Sequence, residues 1–165
     1  MVSAHGDHPA SLHRRGPALL AGGDSPFDDW GPAQRVEVPQ HRLDTPGGLV
    51  IVDERETVLG TVSWVFAQWG PNAASRNPII GIWLRREARG RGVGTETQRQ
   101  LVDLHFRHTT ANRVEVHTDV ENVAEQRALA RAGFTSEDII RGAQWRDGAF
   151  HDGFLFSILR AEWAA

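Results

Sequence analysis

A basic loop with three glycines at alternate positions separates a predicted strand from a predicted helix. Ile79 to Leu84 is apolar and β-branched, as in a strand, and Thr95 to His108 has the broad apolar face of a helix that Thr95 can cap. The loop between them contains Arg89, Gly90, Arg91, Gly92, Val93 and Gly94. Glycine lets the backbone approach a ligand closely, and the first N–H groups of a helix lack partners within it. The loop is therefore predicted to bind an anion, and a diphosphate suits it best.

Two well-known phosphate motifs differ from this loop in detail. A P-loop requires Gly-Lys-Ser/Thr at its end, and the loop has no such tripeptide. A dinucleotide-binding fold requires Gly-x-Gly-x-x-Gly in a parallel unit early in the chain, whereas the spacing here is Gly-x-Gly-x-Gly after a predicted antiparallel hairpin. On this hexapeptide alone, a plain glycine turn with solvated arginines remains the alternative.

The other elements predict a mixed α/β domain. Residues 49–52 and 58–68 form a predicted hairpin, 113–120 a strand, and 122–132 a helix that ends at Gly133. Residues 134–163 hold two more strands around Asp147-Gly148, a strong hairpin signal. The predicted order is β-β-β-α-β-α-β-β, with helices crossing over between strands. Residues 1–25 are predicted to be a flexible tail, and residues 26–165 a single domain.

Composition excludes several classes of chemistry. The chain has 165 residues, a net charge of −3, no cysteine and no tyrosine. The charge gives no support to nucleic-acid binding, and a thiol nucleophile or phenolic proton donor is excluded. No apolar run is long enough to cross a membrane and no leader is evident, so a cytoplasmic protein is expected. The early histidines His5, His8 and His13 lack the rigid frame of a metal site, and no metal is expected.

A second signal lies after the glycine loop: Asn122 begins a predicted helix that closes on Gly133-Phe134. Together the two features resemble the GNAT superfamily of N-acetyltransferases, whose motif Arg/Gln-x-x-Gly-x-Gly/Ala is met by Arg89, Gly92 and Gly94. Residues 141–152 and 156–160 are similar to the ribosomal-protein N-acetyltransferase (RimJ/RimL-like) branch. The resemblance covers about residues 48–163.

The resemblance implies a GNAT-like acyl-CoA N-acyltransferase fold with a splayed central sheet and an abbreviated N-terminal part. The sheet would open between residues 79–84 and 113–120, and the pantetheine arm of acetyl-CoA would lie in the gap. The implied cofactor-binding residues are Trp83, Leu84, Arg89, Gly90, Arg91, Gly92, Val93, Gly94, Thr95 and Asn122.

Four side chains are candidates for moving protons or for orienting the group that does. Some relatives place a catalytic Glu five residues before the Asn, where this chain has His117, a general base that acts directly or through water. The alternative is a structural role, in which His117 is a strand residue whose ring nitrogens are hydrogen-bonded within the protein. Asp119 and Glu115 share its strand face and would orient or replace the imidazole. Glu125 stands where ribosomal relatives have Ser, and either Glu125 or bulk water would protonate the thiolate.

The resemblance implies transfer of acetyl from acetyl-CoA to a small-molecule amine or a protein N-terminus. The alternative is a CoA-binding sensor or scaffold without catalysis, because Leu129 and Gln144 replace the Tyr and Glu of some relatives. The short front implies either an open acceptor groove or completion by a second subunit in a homodimer. The tryptophans that would line such a surface, or else belong to the core, are Trp30, Trp64, Trp69 and Trp83.

Overall fold

The computed structural model describes residues 11–13, 25–27 and 42–163. Most of the predicted tail lies outside these residues, as do His5, His8 and Trp30. Ser11–His13, inside the segment predicted to be flexible, forms strand β1 and pairs antiparallel with strand β2 (Gly47–Val52). An edge strand offers unpaired N–H and C=O groups, which explains why these three residues are ordered against it.

The remaining strands form one sheet with β1 and β2. They are β3 (Val58–Gln68), β4 (Arg76–Leu84), β5 (Arg113–Asp119), β6 (Thr135–Arg146) and β7 (Ala149–Leu159). Their order in the sheet is β1-β2-β3-β4-β5-β7-β6, and every neighbouring pair is antiparallel except β4 and β5. The helices are α1 (Val93–His108), α2 (Val123–Ala132) and the short α3 (Arg160–Trp163). The predicted mixed α/β fold is confirmed.

Helices α1 and α2 cover one face of this sheet. Val114 and Val116 alternate on β5 and point into the same core cluster as Leu101 of α1 and Leu129 of α2. All four side chains are buried, and burial of each such side chain contributes about 1.5–3 kcal/mol. The opposite face of β5 carries Arg113, Glu115, His117 and Asp119.

Two predicted chain reversals take the expected geometry. Asp147 and Gly148 have φ values of 48° and 72°, and Arg146 pairs with Ala149, which gives a two-residue hairpin turn with both central residues left-handed. Gly133 follows α2 with a φ of 99°, a left-handed conformation in which glycine has no side chain to strain.

The sheet opens between β4 and β5. The two parallel strands share a single residue pair, Ile79 with Glu115, although β4 continues to Leu84 and β5 to Asp119. Along the rest of their length each strand is paired only on its outer side, β4 with β3 and β5 with β7. A gap therefore widens toward the carboxyl ends of both strands.

His105 provides a test of the packing between α1 and the sheet. It is fully buried, its ring meets Trp64 edge-on at 5.4 Å, and neither ring nitrogen has a hydrogen-bond partner among the described residues. Burial lowers the pKa of His105 to about 4, so the ring stays neutral in the folded protein while it gains a proton in the unfolded chain below about pH 6.5. His105 therefore leaves the free energy of unfolding undiminished above pH 6.5. As the pH falls from 6.5 to 4, protonation of the unfolded chain lowers that free energy.

We expect His105→Leu to remove this acid-induced fall in the free energy of unfolding. The free energy of unfolding of the parent protein should fall between pH 7 and pH 4 by about 3 kcal/mol more than that of the variant, measured by urea denaturation. His108→Leu, an exposed position on the same helix, is the control and should keep the parental pH dependence. Equal slopes for parent and His105→Leu would contradict a neutral buried ring.

Candidate active site

The glycine loop leaves the amino end of α1 uncapped. Gly92 occupies the N-cap with a φ of 82° and offers no side chain, and the first intrahelical bond runs from the Glu96 N–H to the Gly92 carbonyl at 3.1 Å. The amides of Val93, Gly94 and Thr95 precede that bond, so they are free to meet an anion together with the positive end of the helix dipole.

The predicted capping role of Thr95 is wrong. The helix begins two residues earlier because Gly92 adopts the left-handed conformation that ends the loop, which places Thr95 inside the first turn. Its hydroxyl donates instead to the Ala128 carbonyl of α2 at 3.4 Å. Thr95 therefore joins the amino-terminal turn of α1 to the second helix.

The arginines of the loop differ in their surroundings. Arg89 turns back, and its Nε donates to the Leu84 carbonyl at 2.8 Å, which ties the loop to the end of β4. Arg85, Arg86 and Arg91 are exposed. The short 3-10 turn Arg86–Ala88 is anchored by its last residue, Ala88, which is buried. Gly90 has a φ of 71°, and a β-carbon there would meet nothing within 4 Å. The loop is thus a basic, exposed segment with open space beside Gly90.

Three further predicted cofactor-binding residues border the gap. Trp83 and Leu84 lie at the end of β4, beyond its pairing with β5, and are held from the other side by Thr61 and Gly60 of β3. Asn122 caps α2, its Oδ1 accepting the Glu125 N–H at 3.3 Å. That contact uses the carbonyl end of the Asn122 amide, so its NH2 group can serve a ligand.

Glu115 is an ionised carboxylate in the interior. It is fully buried, and its Oε1 accepts from Trp69 Nε1 at 2.6 Å and from Arg113 Nε at 2.8 Å. Burial alone would raise the pKa of this carboxyl, but the side chains of His117, Arg113 and Trp69 together bring it below its ordinary value. Its Oε2 has no hydrogen-bond partner among the described residues and lies 3.8 Å from His117 Nε2. That distance is too long for a hydrogen bond, although it suits an ion pair when the imidazole is protonated.

Asp119 is engaged elsewhere. Its Oδ2 accepts from Arg146 Nη2 at 2.7 Å and its Oδ1 from the Glu121 N–H at 2.7 Å, with both Asp119 and Arg146 buried. Burial raises the pKa of Asp119, but the Glu121 amide and Arg146 outweigh it and hold the pKa below the usual range. The carboxylate that faces His117 is therefore Glu115, and Asp119 instead ties β5 to β6.

Glu125 has the opposite environment. It lies in the first turn of α2, where its Oε1 accepts from Gln98 Nε2 of α1. Burial raises the pKa of the Glu125 carboxyl to about 7, although the bond from Gln98 works against that rise. The side chain is consequently able to hold or release a proton near neutral pH. Gln98 itself has no sequence signal, because it interrupts the apolar face of α1.

Other positions singled out from the sequence are distributed between core and surface. Leu129 is fully buried, and Trp64 belongs to the core and donates to the Thr45 carbonyl at 2.7 Å, so Trp64 does not line a groove. Trp69 is 63% exposed despite its bond to Glu115. No group of side chains in the described part of the chain is arranged to hold a metal ion. None of the described helices has the length and apolar character of a membrane span.

Comparison with known proteins agrees with this geometry. The family model for the acetyltransferase (GNAT) domain matches residues 25–135. The putative ribosomal N-acetyltransferase YdaF of Bacillus subtilis is 32% identical over 89 residues, which are 54% of this chain and 49% of that protein. The probable N-acetyltransferase YjcK of the same organism is 29% identical over 137 residues, 80% of this chain and 73% of YjcK. The matched part of the chain thus spans about half the length of YdaF and 73% of the length of YjcK.

Solved structures share the fold. The spermidine N-acetyltransferase of Vibrio cholerae, in complex with CoA and spermine, has a TM-score of 0.64 at 19% identity over 73% of this chain and 69% of its own. The ribosomal-protein-S5-alanine acetyltransferase of Vibrio fischeri has a TM-score of 0.63 at 22% identity, over 73% of this chain and 64% of its own. With a family model that matches most of its length and a sheet that opens beside an uncapped helix, the chain belongs to the GNAT acetyltransferase family.

Proposed function

We propose that this protein transfers an acetyl group from acetyl-CoA directly to a primary amine. The observation that carries the proposal is the gap between β4 and β5, which opens beside the uncapped amino end of α1. A CoA thioester needs both features: donors for its diphosphate and a slot for its pantetheine arm. Similar structures were solved with CoA and spermine, and with acetyl-CoA and AMP.

The residues around the gap fit such a co-substrate. In the proposal the diphosphate binds to the loop from Arg89 to Thr95, the pantetheine arm runs past Trp83 and Leu84, and the Asn122 amide contacts it from α2. Acetyl-CoA supplies the activated acetyl group, and no metal takes part. By holding both reactants together the protein removes much of the entropic barrier to the reaction.

His117 is the proposed general base. It is one-third exposed on the sheet face opposite α1 and α2, so an amine or a water molecule can reach it. The ionised Glu115 beside it stabilises the imidazolium that forms when the amine loses a proton. Asp119 has a positioning part in this scheme, because its pair with Arg146 fixes the end of β5.

Glu125 is the proposed general acid. Relatives that use Tyr or Ser near this helix have a hydroxyl to protonate the leaving thiolate, whereas Leu129 is buried in the core here. A carboxyl with a pKa of about 7 is protonated in a large fraction of molecules at neutral pH. It is therefore suited to give a proton to sulfur and recover it from water.

The proposed acceptor is a small-molecule amine or a peptide N-terminus. The face of β5 that carries His117 is the proposed acceptor face. The exposed indole of Trp69 lies beside it, bonded to Glu115, and its ring favours a cation. The similar proteins named above, a spermidine and a ribosomal-protein acetyltransferase, act on amines. A cytoplasmic location, a homodimer and the absence of nucleic-acid or membrane partners stay predictions.

The second candidate is a CoA-binding sensor or scaffold. It is favoured by the buried Leu129 and by Gln144, which cannot accept a proton usefully. Release of free thiol from acetyl-CoA, measured over polyamines, aminoglycosides, amino acids and N-terminal peptides, separates the two. We expect turnover with at least one class, and tight binding of acetyl-CoA without turnover on any of them would favour the sensor.

Substitution of Gly90 tests the diphosphate site. We expect Gly90→Glu to weaken binding of acetyl-CoA by about tenfold or more in calorimetry, because a carboxylate would face the phosphates. Gly142→Glu is the matched control, since Gly142 also has a positive φ, 57°, and nothing within 4 Å of a β-carbon. Both variants carry the same backbone strain, so equal binding by the two would place the diphosphate elsewhere.

Substitution of His117 tests the base. We expect His117→Gln to lower kcat by about 100-fold or more with little change in acetyl-CoA affinity, because general base catalysis contributes on that order. His151→Gln is the control: His151 is 32% exposed and 3.9 Å from the Asp119 carboxylate, against 33% and 3.8 Å for His117 and Glu115. If both substitutions lowered kcat equally, neither imidazole would be identified as the base.

A further inference from the structure

A partly buried contact joins the two helices that flank the gap. Gln98 of α1 is 1% exposed, and its Nε2 donates to Glu125 Oε1 in the first turn of α2. The amide oxygen of Gln98 is also buried, and it has no hydrogen-bond partner among the described residues. An unsatisfied buried oxygen costs free energy, so its presence beside a carboxyl group calls for an explanation.

The bond from Gln98 leaves one oxygen of the Glu125 carboxyl for a proton. A protonated carboxyl carries one O–H donor besides its acceptor oxygen. With Gln98 Nε2 bound to Oε1, the O–H group lies on Oε2. The bond from Gln98 also favours the carboxylate, because a donor binds a charged oxygen more strongly than a neutral one.

The groups around Glu125 are consistent with a neutral carboxyl. From α1 it meets the uncharged Gln98, and its own helix contributes the Asn122 cap, which binds its backbone N–H. Asp119 of β5 is paired with Arg146, and no ion pair to Glu125 occurs among the described residues. Burial therefore sets the protonation of Glu125, with Gln98 opposing it, and the resulting pKa is about 7.

The contact lies at the edge of the gap. Helix α1 follows β4 and helix α2 follows β5, and these are the two strands that part after Ile79 and Glu115. Thr95, one turn before Gln98, already bonds to Ala128 of α2. The Gln98–Glu125 contact thus lies at the crossing of both helices, about one turn from the amino end of each.

We propose that Gln98 is a positioning residue that aims the Glu125 proton and tunes its release to the leaving thiolate. The proposal rests on the proposed function. As the amine nitrogen bonds to the acetyl carbon, the carbon–sulfur bond breaks and its electron pair stays on sulfur. Glu125 gives its proton to that sulfur, and His117 takes the surplus proton of the amine. Exchange with water then removes the proton from His117 and restores the proton of Glu125. The products are an N-acetyl amine and a free thiol.

The protonation of Glu125 can be measured without any substrate. Protein labelled with ¹³C at the glutamate carboxyl carbons would be titrated by NMR, and Glu125→Gln would identify the resonance. We expect a midpoint near 7 in the parent protein and an upward shift of one pH unit or more in Gln98→Met, because the variant loses the donor that favours the carboxylate. Gln100→Met is the matched control: this amide on the same helix donates to Glu96 at 3.1 Å.

A parent midpoint below pH 5, or one that Gln98→Met leaves unchanged, would overturn the proposal. The parent titration decides the first point even if Gln98→Met does not fold. For the second, Gln98→Leu is the alternative variant.

Kinetics separate this proposal from the proposed function. We expect kcat of the parent to decline above neutral pH as Glu125 loses its proton, and the decline to move to higher pH in Gln98→Met with a lower maximum. Gln100→Met should keep the parental profile. Turnover with an unchanged profile in Gln98→Met would overturn the role of Gln98 and leave the acetyltransferase intact. Absence of turnover with every amine would overturn the proposed function, while the NMR titration still decides whether the pair holds a proton.

Discussion

The single parallel pair between Ile79 and Glu115 divides the sheet into two antiparallel blocks. One block ties β4 to β3 along its whole length, and the other ties β5 to β7 from Arg113 to Asp119. Because each block twists with its own partners, the strands at their junction separate beyond the shared pair. Glu115 strengthens the junction, since it also accepts a hydrogen bond from Trp69, which follows β3 in the opposite block. One buried carboxylate thus links the two blocks at the point from which the gap opens.

The two carboxyl groups of the proposed acid–base scheme obtain opposite character from their surroundings. Glu115 is fully buried, yet Arg113, Trp69 and the nearby imidazole keep it ionised. Glu125 is less buried but meets only a neutral amide, so desolvation prevails and its carboxyl is half-protonated at about pH 7. Hydrogen-bonding and charged partners, rather than the depth of burial, decide whether each carboxyl is ionised. In the proposed scheme the ionised Glu115 stabilises a proton on His117, and Glu125 supplies a proton.

Local chemistry made part of this structure predictable. The Asp147-Gly148 turn, the Gly133 cap and the glycine loop follow from residues that tolerate a left-handed backbone, and three neighbours suffice to recognise them. The start of α1 was misplaced at Thr95 because a threonine side chain can cap a helix, whereas the actual N-cap, Gly92, depends on a left-handed backbone angle. Pairs that join distant segments were beyond such reasoning. Gln98 meets Glu125, and Asp119 meets Arg146, across 27 residues each. The strand pattern placed Asp119 on the same face as His117, yet the orientation of its carboxylate depended on a hairpin whose register was unknown.

That hairpin brings a second constraint to the acceptor face. Arg146 pairs with Asp119 of β5, and its guanidinium lies 5.4 Å from the ring centroid of Phe27. One cation therefore connects the end of the splayed strand, the β6–β7 hairpin and a residue that lies between β1 and β2. Loss of either partner of a buried ion pair leaves an uncompensated charge, at a cost of about 3–5 kcal/mol. Phe27 therefore meets the β6–β7 hairpin through the same guanidinium that pairs with Asp119.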